Sequence, residues 1–559
     1  MPAGASHIPV KGAPLETSRR VPDLILYNGL VQTQDPLQPT AEAVAVSGNR
    51  LAAVGSDTAI KALAGIDTQE IDLHGRLVLP GLIDSHFHYY EWARLHQGID
   101  LSGCRSLQQL VQVLRQAAAQ TAPGNWILGW GWTETGWPEN RMPSASTLNA
   151  ATTDHPVILW RGDLHLAVAN TPALQKAGIG PQTADPDQGS IDRDSRGQPS
   201  GLLRELAINL IKAKLPHPPL TALTDTMRSG FTFLHALGIT GLHDVRLMGG
   251  LESPLAWQAW QQLDTDHDLA VRCWAGLPGE RLDAAIALGL KTGWGSDRLR
   301  IGHVKYFRDG SMGARTAWLL KPYRDGGSGM PLTPLDAIAH AAYKADQAGL
   351  AVMVHAIGDR ANRDLVALFA NLVRQRERTR TELYAGPDIL HRIEHLQMIH
   401  PADLDRLADL GVAASVQPHH LAQDMDMIDR ELGKRGRHCY LFRSILKAGI
   451  PLIFGSDYPV CDPNPMTGIH SAVTRQTLLG RPSDGWYPDQ RLTVDEAVRA
   501  YTSTPAQVSG SGHELGSLTA GKLADLVVLD RNIYAIPPNE IQYARAVMTI
   551  FDGQIVYER

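Results

Sequence analysis

The residues able to do chemistry sit at the ends of short apolar runs. The run LVLPGLIDSHFH (78–88) closes on Asp84-Ser85-His86-Phe87-His88. Alternate side chains of an extended strand share a face, so His86 and His88 point the same way and can chelate one metal ion. Further runs carry Lys305 (LRIGHVKYF, 299–307), His355 (LAVMVHAIG, 350–358), His395 (ILHRIEHL, 389–396) and Asp457 (IPLIFGSDY, 450–458). A lone strand histidine is more often a core or surface residue. The joint pattern, an HxH pair and then His, His and Asp on separate runs, is a donor set for zinc, and also for iron, manganese or nickel. There is no GxSxG and no cysteine beside a partnered histidine. The nucleophile this chemistry calls for is a metal-activated water rather than a side chain.

Distant residues meet only if the fold gathers them. Eight apolar runs are present: the five above plus ITGLHDVRL (239–247), VRCWAGL (271–277) and VAASVQPHH (412–420). Amphipathic stretches such as PLDAIAHAAYKADQAG and NRDLVALFANLVRQ separate most of them. Continuous apolar strands alternating with helices indicate a parallel sheet covered on both faces, and eight units indicate an α/β fold of the (β/α)8 TIM barrel type. Strand ends then converge at the C-terminal mouth. An open doubly wound sheet is the alternative, weakened because no Gly-rich phosphate loop follows the first run.

The gap between the first two runs is far longer than a bare connection. Residues 100–225 are therefore expected to be an inserted subdomain within a barrel domain spanning 79–511. Five of the 12 tryptophans fall between 126 and 160, in GNWILGWGWTETGW and VILWRGD. They either line a pocket over the mouth, with Trp132 a substrate contact, or form the insertion's own core. Strand-and-turn patterns at both ends, 23–78 and 512–559, predict one small β-sandwich built from both termini. Residues 1–22 read as a flexible tail.

The chain has 559 residues and a net charge of −6, with 43% hydrophobic and 20% charged residues. That composition excludes wholesale disorder. Without a basic stripe, nucleic acid is not an expected partner. No run is long enough to span a membrane and no apolar leader is evident, so neither a membrane nor secretion is expected. Four scattered cysteines give no disulfide framework, which points to the cytoplasm. A small molecule is the expected partner, with a homo-oligomer the default assembly.

The segments LPGLIDSHFH, VKYFRDGSMGARTA, VHAIGDRA, RIEHLQ, FGSDYPV and GSLTAGKLADLVVLD together resemble the amidohydrolase superfamily. More narrowly, the chain from about Asp23 onward resembles amidohydrolase family 3, the branch containing N-substituted formamide deformylases. The resemblance implies a metal-dependent hydrolase with one or two zinc ions. His86 and His88 would hold the more buried metal, and His355 and His395 a second. Asp457 would bind metal and act as the catalytic base. Lys305, carboxylated, would bridge the pair. A free lysine has a pKa near ~10.4, but desolvation and nearby cations depress it and allow reaction with CO₂. The alternative is an ordinary lysine paired with Asp309.

The implied reaction is hydrolysis of a non-peptide carbon–nitrogen bond, a linear amide such as an N-substituted formamide or N-acyl compound. Alternatives are a cyclic amide, a carbamate or an ester, deamination, and a non-catalytic scaffold. His165, Asp309, Arg315, Asp359 and His419 are further candidates for substrate contact, with Arg360 beside Asp359 as a brace. For each, a supporting role is at least equally consistent with the sequence. Glu205 is a reserve acidic ligand, or else a solvated residue opening a helix. The polar segment 421–439 reads as a mobile lid or as a plain surface loop.

Overall fold

A computed structural model describes residues 21–249, 251–252, 254–379 and 389–559. The expected tail, Val21 and Pro22 apart, lies outside the described residues. Eight strands form one parallel sheet: Leu82–Phe87, Ile239–Asp244, Arg272–Pro278, Leu299–Phe307, Val352–Ala356, His391–His395, Val412–Val416 and Leu452–Phe454. They are hydrogen-bonded in chain order, and each coincides with one apolar run. The last strand returns to the first. Asp457 N donates to His86 O at 2.7 Å, His88 N donates to Tyr458 O at 2.9 Å, and Phe87 bridges Tyr458 in parallel. This eight-stranded parallel sheet fits a TIM barrel.

The strands are buried on both faces because helices cover the outside. Helices Leu220–His235, Leu255–Thr265, Leu282–Ala287, Leu335–Gln347, Asp359–Thr379 and Pro401–Leu407 each precede the next strand. A single apolar core joins strand and helix faces, with Leu242, Val304, Val354, Ile393 and Phe454 from the sheet and Trp260, Ile338, Phe369 and Phe442 from the helices.

A second sheet of six strands occupies the long gap, in the order Gly189–Arg193, Pro199–Glu205, Leu166–Ala169, Val157–Arg161, Ile127–Trp132, Ile99–Asp100. Each of its faces carries its own apolar cluster. Ile158 and Trp160 enter one, and Val157 and Leu159 the other, as strand alternation requires. Alternation breaks at Gly131, where φ is +88° and the pairing with the neighbouring strand shifts register. A residue with positive φ in a bulge is a glycine position. The bulge turns Trp130 to one face and Trp132 to the other.

The chain ends share a sheet. Leu526–Leu529 pairs antiparallel with Leu77–Pro80, and a four-stranded sheet from the N-terminal segment faces the same apolar core of Leu26, Val44, Val78, Val528 and Ile550. Arg272, on the third barrel strand, locks this unit to the barrel. Its guanidinium donates from Nε and one terminal nitrogen to Asp525 at 2.6 and 2.8 Å, and to Asp552 at 2.9 Å. Such bidentate, charge-assisted bonds are among the stronger ones available to a protein.

Segment 421–439 is not a plain loop. It continues the helix Pro418–Leu432 and then a short 3-10 stretch, Gly433–His438. Leu421, Met425, Ile428 and Leu432 are buried at helical spacing, an apolar stripe that the many charges around it obscure.

Candidate metal centre

The strand ends deliver their side chains to one cleft at the barrel mouth. His86, His88, Lys305, His355, His395 and Asp457 all line it. Ligand atoms of His86, His395 and Asp457 lie within 4.8 Å of one another. Asp457 Oδ1 is 3.3 Å from His86 Nε2 and 3.0 Å from His88 Nε2. The His355 and His395 rings are 4.5 Å apart, and the His86 and His395 rings 5.0 Å.

The backbone at these positions is specialised. His395 has φ +72° and Asp457 φ +61°, a region that non-glycine residues rarely occupy. At His395 this turns the chain out of its strand, so that Glu394 and His395 both reach His86.

Three of the four imidazoles, His355 being the exception, are braced from behind. His86 Nδ1 donates to Glu394 Oε2 at 2.5 Å, His88 Nδ1 to Val245 O at 2.8 Å, and His395 Nδ1 to Gln417 Oε1 at 2.8 Å. With Nδ1 occupied, Nε2 is the nitrogen presented to the cleft. This is how ligating histidines are oriented in metal sites. His86 Nε2, both His355 nitrogens and Lys305 Nζ are buried without a hydrogen-bond partner. Buried polar atoms are normally satisfied, so this clustering needs a reason, and a divalent metal supplies one. The donor chemistry fits: nitrogen and carboxylate oxygen, converging and buried.

Electrostatics agree. Burial, with help from Lys305, lowers His86 to about 4. Burial and neighbouring imidazoles hold His355 and His395 well below the usual histidine range. All three are therefore neutral at pH 7, the state that ligates. Burial opposes ionisation of Asp457, but His86, His88 and His395 overcome it and hold the carboxyl well below its ordinary range. Lys305 is pushed down to about 8, chiefly by burial.

The remaining candidates separate clearly. His165 and Glu205 line the cleft together. Burial alone would lower His165, but Glu205, 2.7 Å from its Nδ1, raises it to about 9. Glu205 ends its strand and opens the short helical stretch Leu206–Ile208, but it is buried rather than solvated. Asp309 lies beneath the centre. Its carboxylate accepts from Ile357 N, Gly358 N and Trp318 N and stands 3.4 Å from His355 Nδ1, so it braces the fifth strand's end. Asp359 accepts from Leu320 N at 2.8 Å, outside the lining. Arg360 stacks over Trp318.

Like Asp309 and Asp359, three more of the expected substrate contacts lie outside the cleft lining. Trp132 is fully buried in the insertion's core, its indole donating to Leu159 O at 2.9 Å, because the Gly131 bulge turns it inward; Trp160 lines the cleft instead. Arg315 faces outward and pairs with Asp325 and Glu431. His419 is buried away from the cleft lining, and its neighbour His420 stands 3.5 Å from Asp457 Oδ2. Both histidines lie in the first turn of a helix, where strand alternation no longer applies. Sequence reasoning also missed Glu394 and Gln417, the braces behind His86 and His395. Each sits on or beside a run already singled out, but neither carries a motif of its own.

A model of the amidohydrolase family matches residues 69–557. The chain belongs to the amidohydrolase family. It is 32% identical to protein LONG AFTER FAR-RED 3 of Arabidopsis thaliana, over 96% of this chain and 92% of that one. It is 29% identical to the N-substituted formamide deformylase of Arthrobacter pascens, over 96% and 98% of the two chains. Among solved structures, an uncharacterized metal-dependent hydrolase from Pyrococcus horikoshii matches with a TM-score of 0.73 at 27% identity, over 92% of this chain and 99% of that one. The family is one of metal-dependent hydrolases, in keeping with the cluster of neutral histidines and aspartate at the barrel mouth. Among the described residues, no helix of this amidohydrolase is long and apolar enough to cross a membrane.

Proposed function

We propose that this protein hydrolyses the carbon–nitrogen bond of a small linear amide, an N-substituted formamide or N-acyl compound. One observation carries the reading: braced, neutral imidazoles with unpartnered nitrogens converge on an ionised aspartate in a single cleft. His86, His88 and Asp457 would hold a first zinc, and His355 and His395 a second. Lys305, buried and pushed toward neutrality, would bridge them as a carbamate. When bound, zinc supplies a Lewis acid and lowers the pKa of water.

The chain's own residues do the rest. Asp457 accepts the proton of the attacking water on a carboxylate oxygen and returns it to the leaving amine. Trp160, Leu164, Leu206, Ile208, Met248 and Phe307 give the cleft apolar walls for an organic substituent and limit water there. Similarity to an N-substituted formamide deformylase supports a linear amide, but loops rather than fold set the substrate.

We further read the architecture as a β-sandwich of 23–78 and 512–559, a barrel of 79–511, and an insertion, 100–225, that roofs the cleft. All four cysteines are free and buried, which supports a cytoplasmic setting.

The test is amine release from a panel of formamides and N-acyl amines by zinc-loaded protein, with metal content measured in parallel. Stoichiometric zinc and turnover are expected. Asp457→Asn should lower kcat by at least about 10²-fold with the fold intact. Full activity in that variant removes Asp457 from the mechanism, and a protein without stoichiometric metal refutes the reading.

A further inference from the structure

The insertion lines the cleft with Asp163, His165, Glu205, Asn209 and Lys212, and of these His165 packs its ring against a proposed metal ligand. His165 sits in the turn between Val157–Arg161 and Leu166–Ala169, and its ring lies 5.4 Å from that of His355. It therefore faces the proposed metal ligands from the roof, while Asp457 faces the same space from the barrel.

Its orientation is fixed by a chain of contacts. His165 Nδ1 is 2.7 Å from Glu205 Oε2. The other Glu205 oxygen accepts from Thr316 Oγ1 at 2.6 Å, and that hydroxyl accepts from Ser311 N at 3.0 Å. His165 N donates to Asp163 Oδ1 at 3.2 Å, and Glu205 N donates to His165 O at 3.0 Å. Thr316 and Ser311 belong to the loop after the fourth barrel strand, so the contacts tie roof to barrel. With Nδ1 engaged, Nε2 is the ring nitrogen available to the cleft.

Two backbone features show how closely this arrangement is held. Glu205 adopts φ +50° and ψ −128°, a conformation that side-chain-bearing residues avoid unless their surroundings impose it. Gly310 packs against the pair. A Cβ there would stand 2.3 Å from Glu205 Oε1 and 2.2 Å from Thr316 Oγ1, so any side chain would displace the carboxylate.

We propose that His165 donates a hydrogen bond from Nε2 to the acyl oxygen of the substrate as water adds to its carbon, with Glu205 and Thr316 as positioning residues. The inference rests on the hydrolase reading above. As the water oxygen–carbon bond forms, the carbonyl π pair moves onto the acyl oxygen, and a donor fixed beforehand stabilises that charge without reorganising. No proton leaves His165 in this step. Glu205 works through His165: its carboxylate accepts from Nδ1–H of the charged ring, so that Nε2 also carries a hydrogen to donate, and it aims the ring.

The experiment uses full-length zinc-loaded protein, with 4-nitroformanilide and 4-nitroacetanilide as probes for turnover and methylphosphonate as a tetrahedral anion for calorimetry. His165→Phe should lower kcat by about 10²–10³-fold, as loss of one such donor does elsewhere. KM should stay within about three-fold, zinc content should be unchanged, and methylphosphonate should bind at least about ten-fold more weakly. Glu205→Leu should match His165→Phe, and Glu205→Gln should recover part of the loss, since its amide NH₂ can donate to Nδ1 and leave the ring hydrogen on Nε2. The double variant His165→Phe/Glu205→Leu removes the buried charge together with its partner, so it also guards against misfolding. It should be no slower than His165→Phe alone, because a residue acting through His165 has nothing left to position.

A His165→Phe kcat within three-fold of wild type overturns the role of His165. A double variant much slower than His165→Phe overturns the positioning role of Glu205. Unchanged methylphosphonate affinity in His165→Phe overturns the donor role whatever the turnover. If wild type releases no nitroaniline yet loses phosphonate affinity with His165, the amide reading falls while the donor role stands.

Discussion

Replacing Glu394 with glutamine tests the bracing that makes this cluster a metal site. Glu394 is fully buried. One carboxylate oxygen takes the His86 Nδ1 proton at 2.5 Å, and the other lies 3.0 Å from Arg392 Nε. Glutamine keeps the volume and one acceptor but removes the charge. Two effects follow. At the metal, losing a charged brace typically costs 10–100-fold in affinity, about 1.4–2.7 kcal/mol. In the fold, an unpaired buried guanidinium costs about 3–5 kcal/mol. Arg392 keeps a contact to His243 Nδ1 at 2.7 Å, which favours the lower end of that range. The two separate experimentally. Chelator competition at pH 7 reads metal affinity relative to the folded apoprotein, where the folding cost cancels; thermal melting of the apoprotein reads the folding cost alone. Zinc affinity within two-fold of wild type would show that Glu394 serves Arg392 only, and the braced-imidazole argument would fail for His86.

Lys305→Ala should lower zinc content, with partial recovery in millimolar acetate or propionate; unchanged content leaves Lys305 a plain lysine. Trp132→Ala should destabilise by about 3–5 kcal/mol, as large aromatic truncations in cores do, while KM stays within two-fold in protein kept folded; a KM effect without destabilisation would return Trp132 to the cleft. Arg272 and Arg298 hold the Asp552 carboxyl below its ordinary value against partial burial. A depressed carboxyl contributes stability above its unfolded pKa of about 3.9 and loses it as pH falls through the folded value. The stability gap between wild type and Asp552→Asn should therefore be constant above about pH 5 and shrink below about pH 4. A gap that grows on acidification refutes the clamp.

How much of this was legible in the sequence depended on local geometry. The eight barrel strands could be read because each is a continuous apolar run, the mark of a strand buried on both faces, and helical periodicity lay between them. The ligand positions followed because strand ends of a barrel converge. Failures began where the chain leaves regular strand geometry. A bulge at Gly131 reversed the facing of Trp132. A helix start at Pro418 favoured His420 over His419. A left-handed turn at His395 let consecutive residues, Glu394 and His395, serve the same histidine. Glu205 opens the short helical stretch that LAINLIKAKL suggested, but it also ends a buried strand, which only the pairing with Gly189 shows.

The unusual backbones are themselves informative about function. His395, Asp457 and Glu205 each hold a positive φ, a conformation costing about 1–3 kcal/mol apiece in non-glycine residues. Three such residues facing one cleft oppose folding, so they persist only because their surroundings over-determine them. Strand closure does this for Asp457, whose N–H is tied to His86 O, and the Thr316 hydroxyl does it for Glu205. A site held this firmly by the protein alone has its donors aimed before any ligand arrives. Binding a metal there needs little further ordering of the chain, so more of the interaction energy is available as affinity. The same rigidity explains how the insertion contributes a residue from outside the barrel: His165 reaches the cleft on a carboxylate whose own position the barrel loop fixes.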